Sequence, residues 1–443
     1  DGEEPPVDLA SPDEPPFPRG SNGVNYYTAV TVADAAEGDD NDGQVTLQLN
    51  TYLTSTGTPA DAFSAVGDDT VEAVEAPSVA IDDIDSEDVT AGQTTNMPLA
   101  AADYDLTAYV GQEDQAVGTL IVNERSATGM NLWTAPAATF GDAEEPADVY
   151  SAIEDGAVTQ SDEIAAADTL VHQIQIEGVY GALAAEDTET PEQALINLLT
   201  DDKGVTESNY DNVGEETALS LSVVQAGSSP NQDPKRLVLL ESTDALNVVV
   251  DGANNTVFVN VDTADAQFYR GGDDDTYNAG SDTLVGAAPG ETYDVTFTLE
   301  PESGLTADQQ TEESFSATFD VVERTGMLNG GEDITVEAAS GQEISGTTDI
   351  APGTDVNIRA RASGTSAFLK TATATVTEDG TFSTDFDFSG TSEDTTFDVT
   401  ASASQQFADG ALSAEGTVGA AEATPTPTPE PTATATPEPT ATE

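Results

Sequence analysis

The side chains of this chain best suited to chemistry are carboxylates, and they gather in loops. The densest stretches are EGDDNDG (37–43), DDIDSED (82–88) and GGDDDTYNAGSD (271–282). Hard cations such as calcium take six to eight oxygens from loops of this kind. In the first stretch Asp39, Asn41 and Asp42 would supply them beside Gly43, and in the third Asp273, Asp275, Asn278 and Asp282 would do so. No stretch keeps the full EF-hand spacing, and a chain with 84 acidic residues makes such runs often. The plainer reading of each is a solvated acidic loop. Ca2+ is the one cofactor these residues suggest.

A second chemistry is the attachment of sugar. Asn254-Asn255-Thr256 is the one N-glycosylation sequon, and it falls at the tip of a predicted hairpin, which makes Asn254 an acceptor candidate. Thr424, Thr426 and Thr428 open a Thr/Pro-rich tail whose hydroxyls suit O-glycosylation.

Catalytic constellations are sparse. The single histidine, His172, shares a predicted strand face with Leu170, Ile174 and Ile176, as a structural residue at a core edge does. With one His and no Cys, a thiolate site, a Cys nucleophile and a His-based zinc site all lack their groups. No nucleophile elbow, phosphate loop or dinucleotide fingerprint is present. Paired Asp side chains in one loop could serve glycoside hydrolysis, but nothing selects that role. Trp133, the only Trp, is expected to be buried, with a carbohydrate-stacking platform as the alternative. The chain reads as no enzyme.

The elements holding these residues must survive an extreme charge. The 443 residues carry 84 Asp plus Glu against 10 Lys plus Arg, a formal net charge of −74. In dilute buffer such a surface drives the fold apart. At ~1 M salt the screening length falls to about 3 Å, and crowded carboxylates then repel little. The composition therefore reads as folded and built for brine. A phosphate backbone would be repelled, so nucleic acid is excluded as a partner. No run of 18 apolar residues is long enough to span a membrane. The start at Asp1, without a signal-peptide pattern, fits processing after secretion.

Strand-like alternation runs through most of the chain. Residues 1–23, Pro-rich and acidic, are expected to form an extended arm whose apolar points Val7, Leu9 and Phe17 dock on the first domain, with a neighbouring subunit as the alternative. Residues 24–125 read as an antiparallel β-domain. Residues 126–325 read as a β-rich domain with helical connections at 144–156 and 190–202. In the second of these Thr190 caps and Pro191 takes the first position. TLVHQIQIEGVYGAL (169–183) reads as a strand. Val248 and Val250 before DGANN, with Val257 and Val259 after it, predict a hairpin. Residues 326–420 read as an immunoglobulin-like sandwich, with Val356, Ile358, Ala360 and Ala362 inward and Phe382, Phe386 and Phe388 on one face. APGETYDVTFTL (288–299) and APGTDVNIRARA (351–362) echo each other, as do SFSATFDV and TFSTDFDF downstream. The fold class is thus mainly β, in tandem sandwiches. Residues 421–443 would form a polyproline II stalk, whose last twenty-one residues reach about 65 Å.

The stretches VVERTGMLNGGEDITVEAASGQEISGTTDIAPGTDVNIRARASG, FLKTATATVTEDGTFSTDFDFSG and DTLVHQIQIEGVYGAL resemble surface glycoproteins of halophilic archaea, including S-layer-like proteins, over roughly 160–443. The resemblance implies a secreted envelope protein whose stalk leads to a processed, lipid-linked anchor, so that the membrane is reached only through a C-terminal anchor that is missing here or processed. Copies of itself or other surface glycoproteins are the expected partners, with inorganic cations bridging carboxylates between neighbours. Family members often carry several sequons, and the single one here puts dense N-glycosylation in doubt. The function expected is a structural protein of the cell envelope that assembles into a sheet or filament. The alternative is an adhesin or glycan-binding module on the same stalk.

Overall fold

The computed structural model describes residues 7–10, 28–35, 43–54, 59–75, 99, 101–110, 113–137, 143–186, 188, 190–200, 219–229, 231–272, 277–300, 303, 305–306 and 311–420. The chain divides into two compact units. The first holds 1–325 with 348–354 and 376–380, and the second holds 326–347, 355–375 and 381–443. Residues 24–125 and 126–325 both fall within the first unit. The architecture is β-sheet throughout, with three α-helices among the described residues.

The first sheet of the first unit is antiparallel. Its spatial order is Thr70–Glu75, Thr28–Ala33, Val7–Ala10, Ala102–Val110 and Glu113–Val122. Val7–Ala10, from the stretch read as an arm, is its central strand, with Val7 opposite Val30 on one side and Ala108 on the other. The inner face of the sheet gathers Val30, Tyr104, Leu106, Leu120 and Val122 around Phe63 and Leu99.

Most of the rest of this unit is a sandwich of a six-stranded and a five-stranded sheet. One runs Glu163–Ala165, Glu313–Val322, Glu291–Leu299, Leu219–Ala226, Lys235–Leu237 and Phe268–Arg270. The other runs Leu246–Asp251, Thr256–Asp262, Thr169–Ile176, Ala127–Ala135 and Thr159–Gln160. Their inner faces share one core, in which Leu170, Ile174, Val257 and Val259 of one sheet join Leu221, Val295 and Phe297 of the other. The helices Val179–Ala185 and Pro191–Thr200 add Leu183, Leu195 and Leu199 to that core. The helix Pro146–Glu154 covers the opposite face of the five-stranded sheet, where Val149 meets Val171, Val249 and Phe258.

Local chemistry sets the helix ends. Thr190 Oγ1 accepts the Gln193 backbone N–H at 3.3 Å, and Pro191 opens the helix. The Asp148 carboxylate accepts the Glu145 N–H at 3.1 Å, closing a capping box. One reading needs correction. The stretch 169–183 is not one strand: it ends at Ile176, and Val179–Ala185 is helical. Gly178, at φ +83°, turns the chain between the two, a conformation that costs a glycine little.

The second unit is a sandwich of a three-stranded sheet, Gly326–Leu328, Gln342–Thr348 and Thr381–Phe386, and a five-stranded one, Ile334–Glu337, Leu412–Gly419, Thr396–Ser402, Asp355–Ala362 and Phe368–Thr375. Asp355–Ala362 alternates strictly between exposed and buried, with Val356, Ile358, Ala360 and Ala362 inside. Phe388 sits among Phe368, Phe386 and Phe397, its ring centroid 5.2 Å from that of Phe397. The internal echo stops at sequence. Glu291–Leu299 pairs directly with Glu313–Val322, whereas Asp355–Ala362 and Thr381–Phe386 lie in different sheets. Similar alternation fixes which face is buried, and the pairing partner comes from contacts elsewhere in the chain.

Candidate glycosylation turn and carboxylate surface

The sequon sits where the sequence puts it. Leu246–Asp251 and Thr256–Asp262 form a hairpin in which Val248 opposes Val259, Val250 opposes Val257 and Asp251 opposes Thr256. Residues 252–255 form the exposed turn, with Asn255 at φ +53°. Asp251, only 6% exposed, organises that turn. Its Oδ1 accepts the backbone N–H groups of Ala253 at 3.1 Å and Asn254 at 3.2 Å. Its Oδ2 accepts Asn254 Nδ2 at 2.7 Å and the Tyr150 hydroxyl at 2.9 Å. Burial works to raise the Asp251 pKa, and the bonds from Asn254, Tyr150 and Ala253 outweigh it, leaving the carboxyl below its ordinary range. Thr256 is buried and its hydroxyl donates to Asn254 O at 3.1 Å. Asn254 is thus an exposed residue, with one N–H of its side-chain amide engaged by Asp251. Attachment of a sugar leaves an amide one N–H, so the turn suits both forms.

Of the proposed calcium ligands, Asp39, Asn41, Asp42, Asp273 and Asp275 lie outside the described residues, as do Thr424, Thr426 and Thr428. Asn278 and Asp282 are brought together, around the loop's own backbone. Asp282 Oδ2 accepts the Asn278 N–H at 2.8 Å, and Asn278 Oδ1 accepts the Gly280 N–H at 2.9 Å. Among the described residues no group of three or more His, Cys, Asp and Glu is arranged to hold a metal.

His172 is fully buried in the centre of the five-stranded sheet, between Leu132 and Val259 on the adjoining strands. Its Nδ1 lies 3.1 Å from Val259 O, and burial holds its pKa down to about 4. It is a neutral core residue. Trp133 is half-buried beside Ile153 and Phe258, and its indole N–H donates to Gln173 Oε1 at 3.1 Å. It also lines a cleft of about 720 Å³ with Glu163, Asp349, Glu378 and Asp379.

On the outer faces of the sheets, carboxylates find hydroxyl partners in place of scarce lysines. Thr318 donates to Asp294 at 2.9 Å and Thr292 to Asp320 at 2.5 Å across one pair of strands. Thr375 donates to Asp355 at 3.0 Å across another. Each bond positions a carboxylate and leaves its charge intact, so the coat stays anionic and hydrated. Two cations, Lys235 and Arg324, are buried, whereas Arg359 and Arg361 face outward on Asp355–Ala362. Lys235 is buried, and its Nζ bonds Glu291 Oε2 at 2.6 Å and Gly286 O at 2.8 Å. No sequence signal marked Lys235 for burial beyond its place ahead of Leu237 in an apolar run.

Residues 4–111 match the model of a domain of unknown function, DUF7827. The chain is 34% identical to a cell surface glycoprotein of Haloferax gibbonsii over 409 residues, which is 92% of this chain and 41% of that protein. It is 32% identical to cell surface glycoprotein 2 of Haloarcula hispanica over 82% of this chain and 38% of that one. For cell surface glycoprotein 1 of the same organism the identity is 30%, over 85% and 39%. The chain therefore spans about two fifths of the length of these curated relatives. Among solved structures, a tetra-tandem repeat from the extending region of a large adhesion protein aligns over 93% of this chain and 90% of its own, at 13% identity and a TM-score of 0.19.

Proposed function

This chain is a homologue of the haloarchaeal cell surface glycoproteins, and from that premise we propose that it is a non-enzymatic structural protein of a haloarchaeal cell surface. Its β-rich modules, 24–125, 126–325 and 326–420, stand on the Thr/Pro-rich stalk 421–443. They self-assemble, with copies of the same chain or with other surface glycoproteins, into an S-layer-like sheet or filament. Ca2+ and other inorganic cations bridge carboxylates of neighbouring molecules. Asn254 carries an N-linked glycan, and Thr424, Thr426 and Thr428 carry O-linked ones.

The observation that supports this reading most is the outer-face pairing of threonine hydroxyls with Asp294, Asp320 and Asp355. It presents positioned carboxylates on outer sheet faces, which suits packing in brine with cations between the layers. The test is to hold the assembled protein in molar NaCl with calcium, then chelate the calcium and lower the salt while following light scattering. Dissolution supports cation bridging, and particles that stay intact refute it. A second reading, glycan binding, draws on the cleft beside Trp133. A screen against cell-surface glycans with Trp133→Ala as the control separates it from the first.

A further inference from the structure

The edges of the sheets are mostly guarded. The six-residue edge strand Leu246–Asp251 packs against the helices Pro146–Glu154 and Pro191–Thr200. The eight-residue edge Phe368–Thr375 carries Lys370, and the six-residue edge Thr70–Glu75 carries Glu72. Phe268–Arg270, Glu163–Ala165 and Gly326–Leu328 are three residues each. Short edges, charges and covering helices are the usual means of preventing strand addition.

The edge strand Glu113–Val122 uses none of them beyond its first two residues. It is ten residues long, the longest sheet edge among the described residues, and from Gln115 to Val122 it has no charge and no proline. Its register against Ala102–Val110 sets Leu120 opposite Tyr104 and Val122 opposite Ala102 on the core face. Val117, Thr119 and Ile121 therefore share the outer face. Val117 is 80% exposed and Ile121 64%, the two most exposed large apolar residues among those described.

We propose that this strand is an interface at which two copies of the chain pair edge to edge, antiparallel about a two-fold axis at Thr119. That register places Val117 of one copy opposite Ile121 of the other, covers both apolar side chains, and joins two five-stranded sheets into one. The occupant is a second copy because the stretch is self-complementary under this symmetry. From Gln115 to Val122 the edge itself sets no carboxylate against a second, equally anionic copy, and the exposed Asp103 and Asp105, opposite Ile121 and Thr119, lie one strand back, where molar salt screens them. The inference deepens the assembly reading by naming a contact that needs no cation.

The chain has no cysteine, so an introduced thiol reports the contact directly. Residues directly opposite across an antiparallel pair have Cα atoms about 4.5–5.5 Å apart, within disulfide reach. The full chain carrying Thr119→Cys is oxidised in molar NaCl with chelator present, alongside Thr373→Cys, an exposed position on the other long edge. Dimer forming at least tenfold faster for Thr119→Cys supports the proposal, and equal rates overturn it. In the cysteine-free chain, Val117→Lys with Ile121→Lys should abolish dimer by sedimentation without changing circular dichroism. Dimer that persists in that variant, or an original chain that is monomeric in molar salt or pairs only with a different protein, overturns it too. Because chelator is present throughout, failure of cation bridging leaves these outcomes unchanged.

Discussion

Asp168 and Arg324, 156 positions apart in the chain, form an ion pair with both side chains almost wholly buried. The second Asp168 oxygen accepts the Ala351 N–H at 2.7 Å, and Arg324 also donates to Ala166 O at 3.1 Å. Asp168 thereby ties the segment 348–354 to the strand-end turn at Ala166 within the first unit. In a protein whose surface charges are screened by brine, this pair is not reached by salt.

Breaking it leaves a buried charge uncompensated. Arg324→Met should destabilise the first unit by about 3–5 kcal/mol. Urea midpoints measured at 1 M and 3 M KCl should show the same loss at both, because the pair is dry. A loss that shrinks at the higher salt would mean that the pair is solvated.

The pair Lys235–Glu291 offers a parallel case with a pH signature. Burial pushes the Glu291 pKa up, but the bonds from Lys235, Tyr293 and Ala288 pull it further down, to a net value below the ordinary. A depressed carboxyl contributes stability above its unfolded pKa and loses it as pH falls through the folded one. Glu291→Gln should therefore be less stable than the original chain at neutral pH, with the gap closing in acid. Urea titrations across the carboxylate range measure it, and a constant gap contradicts the assignment.

His172 works with the same sign at higher pH. Unfolded, it titrates near its ordinary 6.5; folded, near 4. The unfolded chain binds the extra proton between those values, so stability falls as pH drops from 6.5 to 4, by about 3 kcal/mol. Replacing His172 by Leu should remove that share of the acid sensitivity. Comparing the two chains over this window isolates it from the carboxylates that both retain.

Two strand glycines in the second unit make room for aromatic rings. A Cβ on Gly346 would lie 2.3 Å from the Phe382 ring, and one on Gly416 2.3 Å from that of Phe397. Gly346→Ala and Gly416→Ala should each cost about 1–3 kcal/mol through overpacking. Thermal melts in molar salt read this, with Gly390→Ala, which meets nothing within 4 Å, as the control.

Much of this was legible before the coordinates. Alternation in Val356–Ala362 fixed a buried face, and the Thr190-Pro191 pair fixed a helix start, because both signals are local. The turn at DGANN placed Asn254 at a hairpin tip for the same reason. Its engagement by Asp251 was also within reach, since an Asp ahead of a Gly turn often bonds the backbone two residues on. The rest depends on distant partners. The helix Val179–Ala185 hid behind a strand pattern that Gly178 ends. The Asp168–Arg324 pair and the burial of Lys235 have no local mark. Glu113–Val122 reads like any other strand until the sheet order leaves it at an edge.

The charge itself sets the conditions for all of this. A net charge of −74 should make the β signature in circular dichroism rise with salt, full in multimolar KCl and reduced in dilute buffer. Random-coil spectra in strong salt would contradict the fold.

The most direct test of the surface-assembly account is electron microscopy of the protein in molar NaCl with calcium, before and after chelation. The account predicts ordered sheets or filaments that come apart into small particles, chiefly dimers, when calcium is removed. Dispersed monomers under both conditions would contradict it.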